Sequence, residues 1–213
     1  MAEDRDMWRM RIGMLAAAML LLGGIGPGPA RHTPVIGVVP SLAGQLLVAT
    51  PELDDPNFSH TIVYMVQHDD GGAMGVVINR VLGRGRLGKL LEGLGIEEGS
   101  DSEAEIRVHY GGPVQLGRGV VLHSPDYRLD DPLVVDDLAA FSFSLDALRD
   151  IALGAGPRHS LFAFGYAGWA PDQLEEELAR GSWFTIAPDE ALLFDDKVDT
   201  KWERALARRG IDL

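Results

Sequence analysis

The sequence of 213 residues contains no cysteine, which excludes disulfide bonds, thiolate metal ligands and a thiol nucleophile. Aromatic residues make up only 7% and are scattered, so they form no patch for nucleic-acid binding. Basic residues are also scarce, 19 against 32 acidic ones, giving a net charge of -13. Such a charge repels phosphate backbones, and direct DNA binding is therefore disfavoured.

Several motifs of catalysis and cofactor binding are missing as well. The sequence has no GxxxxGK[ST] phosphate loop, no HExxH or HxH pair, and neither GxSxG nor SxxK. Five Asp-Asp pairs occur, beginning at residues 54, 69, 130, 136 and 195, and we interpret most of them as solvated turns. We therefore predict no metal site, no cofactor and no catalytic residue.

The first forty residues differ from the rest. Residues 12–26 form an uncharged run after Arg5, Arg9 and Arg11, shorter than the roughly 20 apolar residues of a spanning helix. The pattern fits a cleavable export signal, an uncleaved anchor or an upstream extension without function, and these three remain open. Membrane contact is expected only through this run. We predict an apolar extension and linker over residues 1–40 and one domain over residues 41–213.

The rest of the chain alternates β-rich runs with amphipathic helices. Asp70-Gly71 predicts a tight hairpin between strands at residues 61–67 and 74–79. Leucines 87, 90, 91 and 94 share one helical face. Further strands are predicted at residues 45–49, 106–110, 119–124, 161–164 and 183–186, and further helices at 145–153, from Pro171 onward and at 201–209. This order predicts an α+β fold: a single compact domain with a mixed β-sheet and a β-hairpin, flanked by three to four helices.

Two glycine segments, residues 110–114 and 165–169, each follow a predicted strand. Glycine lets the backbone approach a ligand closely, and a helix that starts after such a segment can bind an anion. The structural alternative, glycines that only permit tight packing, remains open. If the segments bind a ligand, they must meet on one side of the domain and leave a hollow there.

The predicted ligand-binding residues lie on the glycine segments, beside them and at the hairpin. They are His68, Asn79, Gly111, Gly112, Pro113, Arg118, Gly165, Tyr166, Gly168, Trp169, Gln173 and Glu175. The glycines would offer backbone amides, the aromatic residues apolar walls and Arg118 a charge. His60, His68, His109 and His123 are also weighed as ligands or proton carriers, with a core or turn position as the commoner case for histidine. Arg80, Arg84 and Arg86 form the only internal basic cluster, in a predicted glycine-rich loop, where they could contact a phosphate, a nucleotide or an acidic partner.

A set of short motifs resembles one known family. These motifs are Gly165-Tyr166-Ala167-Gly168-Trp169, Tyr110-Gly111-Gly112-Pro113-Val114, Asp55-Pro56-Asn57-Phe58 and Lys201-Trp202. From about Gly44 to Leu213 the chain resembles the AlgH/YqgE family, also called UPF0301. The resemblance implies a compact bacterial α+β protein, usually cytoplasmic, without an established enzymatic activity. Some members are named transcriptional regulators of alginate synthesis, a phenotype that does not imply contact with DNA.

The chain departs from this family in three places. Asp172 stands where glycine is common, Gly181 stands where asparagine is common, and the apolar extension is atypical. The extension makes export or membrane tethering the alternative to a cytoplasmic location.

The leading functional hypothesis is a non-enzymatic ligand- or protein-binding domain with a regulatory role, its partner an unknown small molecule or protein. The alternative is a small hydrolase or transferase that uses His68 or His123 with an aspartate.

Overall fold

The structure, a computed structural model, describes residues 40–128 and 133–210. The predicted extension lies outside the described residues except for Pro40. The strands of the described residues are β1 (Leu46–Ala49), β2 (Ile62–Asp69), β3 (Gly72–Val77), β4 (Val81–Arg86), β5 (Glu105–Tyr110), β6 (Val114–His123), β7 (Leu133–Val134), β8 (Ala140–Ser142), β9 (Ser160–Trp169) and β10 (Trp183–Ile186). Their α-helices are α1 (Leu87–Gly93), α2 (Asp146–Ala152), α3 (Gln173–Ala179), α4 (Glu190–Phe194) and α5 (Lys201–Leu206), and a 3₁₀ helix spans Val198–Thr200.

The strands form one sheet in the order β10-β1-β2-β3-β9-β6-β8-β7, with β5 also on β9 and β4 on β5. Strand β9 lies at the centre because β5 and β3 pair with successive parts of one of its edges, while β6 pairs with the other. The β5–β9 pair is parallel, whereas the other described pairs are antiparallel. The predicted α+β class and mixed sheet are confirmed, and the described residues from Leu42 onward belong to one compact unit.

The predicted hairpin joins β2 to β3. Asp69 pairs with Gly72 across the turn, and the Asp69 Oδ1 atom accepts a hydrogen bond of 2.7 Å from the Gly71 amide. Gly72 has φ +118°, which L side chains rarely adopt, so glycine is required there. The hairpin was predictable because its signal is local.

Two apolar clusters hold the sheet and the helices together. One surrounds Trp169 and Trp183 and includes Val63 and Leu174. The other packs Leu87 and Leu91 of α1 against Leu148 of α2 and Phe162 of β9. The leucine periodicity at residues 87–94 therefore identified a true core face.

Several elements differ from the prediction, and the short strands β7 and β8 were not predicted. The segment at residues 165–169 does not end a strand, because β9 continues through it, and α3 starts at Gln173 instead of Pro171. The predicted glycine-rich loop is strand β4, which has no buried residue and owes its order to pairing with β5. Helix α4 adds a fifth α-helix among the described residues; it has only five residues and therefore little periodicity to reveal it.

Two of the departures from the family, Asp172 and Gly181, flank helix α3. Both have left-handed backbone angles, φ 64° and 74°. Gly181 closes α3, where its amide donates to the Leu178 carbonyl and the Ser182 amide donates to the Glu177 carbonyl. Glycine and asparagine are the residues that suit such a helix end.

We expect Asp172→Gly to raise the free energy of unfolding by about 0.5–1 kcal/mol. Glycine removes the left-handed strain, and its larger freedom in the unfolded chain offsets part of the gain. Denaturant midpoints measure the effect. Asp172→Ala is the control, because it removes the carboxylate and keeps the strain; an equal gain in both variants would assign the effect to charge.

No helix among residues 40–128 and 133–210 has the length and apolar character needed to cross a membrane. The prediction for residues 12–26 concerns a part of the chain that lies outside the described residues.

Candidate functional site

The two glycine segments meet, as predicted, but they meet backbone to backbone. The Gly111 amide donates to the Phe164 carbonyl at 2.9 Å, and the Gly111 carbonyl accepts from the Val77 amide at 2.8 Å. A Cβ atom on Gly111 would overlap the Gly165 carbonyl oxygen, and one on Gly112 would overlap the backbone of Tyr166. The point of contact is therefore filled by main chain, and the Gly111 amide is already used.

His68 is held from both sides of its ring. Its Nδ1 atom accepts a hydrogen bond of 3.0 Å from the Leu42 amide, so the ring proton lies on Nε2 and is donated to Glu175 Oε1 at 2.7 Å. Its side chain is only 5% exposed. His68 thus ties the hairpin to α3, and its carboxylate partner is Glu175. The carboxylate of Asp69 instead accepts from Gln67 and from Gly71.

Trp169 and Gln173 converge on Glu177, a residue that sequence reasoning missed. Glu177 Oε2 accepts from the indole nitrogens of Trp169 at 3.0 Å and Trp183 at 2.8 Å. Glu177 Oε1 accepts from Gln173 Nε2 at 2.9 Å. The available signal was the spacing of four residues between Gln173 and Glu177 on one helix.

Other predicted residues also brace the fold. Asn79 accepts from the Ile62 amide at 2.8 Å and donates to the His60 carbonyl at 2.9 Å. The Arg118 guanidinium lies 3.6 Å from the centre of the Phe143 ring. Tyr166 is buried, Gly168 is half-buried and Pro113 is exposed. These contacts show that the predicted residues have a structural role. Ligand binding by these residues stays a prediction.

The neighbouring pair His123 and Ser124 does not form a catalytic dyad. His123 Nδ1 donates to the carbonyl of Ser124 at 2.9 Å, and the Ser124 hydroxyl binds the backbone of His159. Within the described residues, no group of three or more His, Asp or Glu side chains is arranged to hold a metal ion.

A different set of residues lines a cleft of about 320 Å³ that we call the His109 cleft. It is bordered by β4, β5, β9, α4 and the start of α5. Its polar lining consists of Arg84, Glu105, Arg107, His109, Ser160, Asp195, Asp196 and Lys201, and its apolar lining of Leu87, Ile106, Ile151, Leu161, Phe162, Leu193 and Phe194. The volume is at the lower end of the range for small-molecule sites.

His109 presents an unused hydrogen-bond acceptor. The residue is 4% exposed, and burial together with the charges of Lys201, Arg107 and Arg84 lowers its pKa to about 4. The ring is therefore neutral at pH 7. It hydrogen-bonds the backbone of Ile78, whereas the buried Nδ1 atom has no partner among the described residues. The ring proton thus lies on Nε2, and Nδ1 can only accept.

Lys201 presents unused donors. Its side chain is 1% exposed, and its Nζ atom donates to the Leu193 carbonyl at 2.9 Å. Asp195 Oδ1 lies 3.8 Å away, beyond hydrogen-bond distance, and the Asp195 carboxylate is bound by Arg204 at 2.8 Å. Burial lowers the pKa of Lys201 to about 8 despite the nearby Asp195. The ammonium group therefore retains donors for a further acceptor.

Two arginines complete the positive side of the cleft. Arg107 Nη1 pairs with Asp196 Oδ1 at 2.8 Å, while its buried Nε atom has no partner among the described residues. Arg84 makes no ion pair with any described residue. The other members of its sequence cluster are engaged, since Arg86 pairs with Glu103 and Arg80 donates to the carbonyls of Pro56 and Ser59.

The chain also contains a glycine pattern that sequence reasoning missed. Gly83, Gly85 and Gly88 match the G-x-G-x-x-G spacing of dinucleotide-binding turns. Here Gly83 and Gly85 lie on β4 and Gly88 lies in the first turn of α1, but β4 pairs antiparallel with β5, so the pattern does not belong to a parallel β-α-β unit. The amides of Leu87 and Gly88 donate to the carbonyls of Ala104 and Ser102, so they are not offered to a pyrophosphate.

Comparison with known proteins identifies the family of this chain. The model of the AlgH-like family (DUF179) matches residues 46–213. A UPF0301 protein of Methylococcus capsulatus is 44% identical over 171 residues, covering 80% of this chain and 93% of its own length. A UPF0301 protein of Jannaschia is 42% identical, covering 80% and 90%.

Solved structures give the same result. The solution structure of the AlgH protein from Pseudomonas aeruginosa has a TM-score of 0.67 and 38% identity, covering 85% of this chain and 93% of that one. A crystal structure from Corynebacterium diphtheriae, with a TM-score of 0.61 and 18% identity, covers 78% and 85% and shares the fold. The fold is thus that of an AlgH-type α+β domain. The chain belongs to the AlgH-like, or UPF0301, family, whose members are uncharacterised.

Proposed function

We propose that this protein is a non-enzymatic binding protein that takes up a small anionic molecule in the His109 cleft. A regulatory role, which the family resemblance implies, fits a domain that binds a ligand without transforming it. The location, cytoplasmic or exported through residues 12–26, is tested by sequencing the N-terminus of the protein from its own host.

One observation carries the proposal: the buried Nδ1 atom of His109 has no partner among the described residues, in a cleft that it shares with the buried Lys201. A buried polar atom without a partner costs about 1–3 kcal/mol. A ligand that donates to Nδ1 and accepts from Lys201 would offset that cost.

The lining carries three cations and three carboxylates, and its attraction for an anion comes from the cations that lack a close counter-ion. Arg84 has no counter-ion among the described residues, Lys201 has only a distant one, and Arg204 neutralises Asp195. The whole chain carries a net charge of -13, so these cations form a local positive region on an acidic protein.

Catalysis by the histidines proposed for a hydrolase has less support. Both ring nitrogens of His68 are occupied. His123 Nδ1 donates to the Ser124 carbonyl, and the buried Nε2 atom, which has no partner among the described residues, forms no hydrogen bond with the Ser124 hydroxyl. A general base needs a free nitrogen within reach of the proton that it removes.

Arg84 and Arg86 allow a matched test. Both are exposed on β4, two residues apart, but only Arg84 lines the cleft. Native mass spectrometry and thermal shift of the full chain with nucleotides, sugar phosphates and small carboxylates identify a bound anion. We expect Arg84→Ala to weaken its binding by about tenfold, and Arg86→Ala by less than about twofold.

Equal effects of the two variants would contradict binding in the cleft. The same samples are assayed for esterase, phosphatase and nucleotidase turnover. Turnover that is lost in His68→Ala or His123→Ala would support the hydrolase alternative instead.

A further inference from the structure

We propose that the His109 cleft selects a phosphate group that keeps a P–OH, either inorganic phosphate or the singly protonated form of a phosphate monoester. This inference rests on the proposed function and adds the chemical class of the ligand.

His109 contributes a hydrogen-bond acceptor to the cleft. Its Nδ1 atom is buried, has no partner among the described residues and can only accept, because the ring proton is on the nitrogen that faces the Ile78 backbone. A fully ionised oxyanion has acceptors alone and would place a lone pair against this nitrogen. A phosphate with a P–OH donates one such hydrogen bond for each hydroxyl that it keeps.

Lys201 and Arg84 contribute hydrogen-bond donors to the same cleft. The Lys201 ammonium has one short hydrogen bond, to the Leu193 carbonyl, and Arg84 has no ionic partner among the described residues. The ionised oxygens of a phosphate accept from such groups, and these charge-assisted bonds are stronger than neutral ones. The site therefore pairs donors for the ionised oxygens with an acceptor for the protonated one.

The carboxylates of the cleft also favour a protonated phosphate over a fully ionised one. Asp195 and Asp196 oppose an anion by repulsion, but Asp195 is bound by Arg204, and Asp196 is 88% exposed and screened by solvent. Glu105 is the third carboxylate on the lining. All three disfavour a fully ionised anion more strongly than a protonated one. Removal of Asp196 would also free Arg107 for the ligand.

Phosphate and sulfate test this directly, since they are alike in shape and sulfate has no hydroxyl at neutral pH. Isothermal titration of the full chain measures both at about pH 7 and equal ionic strength. We expect phosphate to bind more tightly than sulfate by about tenfold, the difference of one buried hydrogen bond.

Three variants separate the contributions. His109→Phe removes the acceptor and is expected to reduce the preference to less than about threefold. Arg84→Ala weakens both anions and keeps the preference. Asp196→Asn changes an exposed residue, so folding is retained, and it is expected to tighten both anions by about two- to fivefold. Melting temperatures show whether His109→Phe is folded.

Phenyl phosphate and inorganic phosphate are both titrated at about pH 5, where the monoanion of each prevails, to distinguish a phosphate monoester from free phosphate as the ligand. Tighter binding than inorganic phosphate indicates that the organic part uses the apolar wall of Leu193 and Phe194, and weaker binding indicates inorganic phosphate. Equal binding of sulfate and phosphate overturns the inference and leaves the proposed function standing. If phosphate does not bind but another small anion does, and Arg84→Ala weakens the binding of that anion, the inference is likewise overturned and the proposed function stands. Failure of every anion overturns both.

Discussion

Gly112→Ala lowers the free energy of unfolding by about 3–5 kcal/mol, enough to unfold much of a marginal domain. The loss has two causes, the backbone angle of Gly112 and the lack of space for a Cβ atom. Gly112 has φ +145°, a region that L side chains rarely adopt, and an added Cβ atom would overlap the carbonyl carbon of Tyr166 and the nitrogen of Ala167. Both atoms belong to β9, which cannot move without breaking its pairs with β3 and β6.

Gly117→Ala is the matched control for this variant. Gly117 lies on β6 near Gly112, is exposed, and has open space around the position of a Cβ atom. We expect a change of less than about 1 kcal/mol there, the ordinary range for a surface position. Urea denaturation measures both variants. A Gly112→Ala protein that melts normally and loses ligand binding would show that the glycine segments, and not the His109 cleft, form the site.

Glu177→Ala is expected to lower the free energy of unfolding by about 3 kcal/mol. The substitution removes a carboxylate oxygen that two indole nitrogens share, at 3.0 Å and 2.8 Å, and leaves both N–H groups without that acceptor. Trp169 and Trp183 are 2% and 3% exposed, so water has little access to replace it. Each unsatisfied buried donor costs about 1–3 kcal/mol.

Glu176→Ala and Glu177→Gln are the comparisons for this variant. Glu176 is exposed and lies 3.9 Å from Arg180, so its loss should cost less than about 0.5 kcal/mol. Glu177→Gln keeps one acceptor oxygen and should recover about half of the loss. Tryptophan fluorescence follows unfolding in urea, and Trp169 and Trp183 are two of the four tryptophans that contribute to it. Equal stabilities of Glu176→Ala and Glu177→Ala would contradict the shared hydrogen bond.

Local signals were sufficient for much of the fold. The Asp70-Gly71 turn and the leucines of α1 depend on neighbours within a few residues, and both predictions are confirmed. Strand β4 was missed because its glycines and exposed side chains carry no strand signal, and it becomes a strand only through its pairing with β5.

The glycine segments show the limit of such signals. Glycine indicates that something approaches the backbone closely, and the pattern is the same whether a ligand or the chain itself approaches. Gly111 and Gly165 come together as the sequence predicted, but the hollow expected where they meet is filled by main chain. The sequence could not show that the two backbones would touch each other.

The His109 cleft was beyond sequence reasoning for a different reason. Arg84, His109 and Lys201 are each ordinary residues in their own segments, and Lys201 is 92 residues from His109 along the chain. They meet because β4 pairs with β5 and because α5 begins beside that pair. The site therefore depends on the register of β4 with β5, which places Arg84 and His109, and on the position of α5, which places Lys201.

Selective ¹⁵N labelling of histidine and glycine gives the most direct test of the site. The full chain is titrated with inorganic phosphate while the ring nitrogens of His109 and His68 and the amides of Gly111 and Gly165 are observed by NMR. We expect the His109 Nδ1 resonance to move from the value of a free acceptor to that of a hydrogen-bonded one, while the resonances of His68 and of both glycines stay unchanged. An unchanged His109 together with shifts at His68, Gly111 or Gly165 would contradict this expectation.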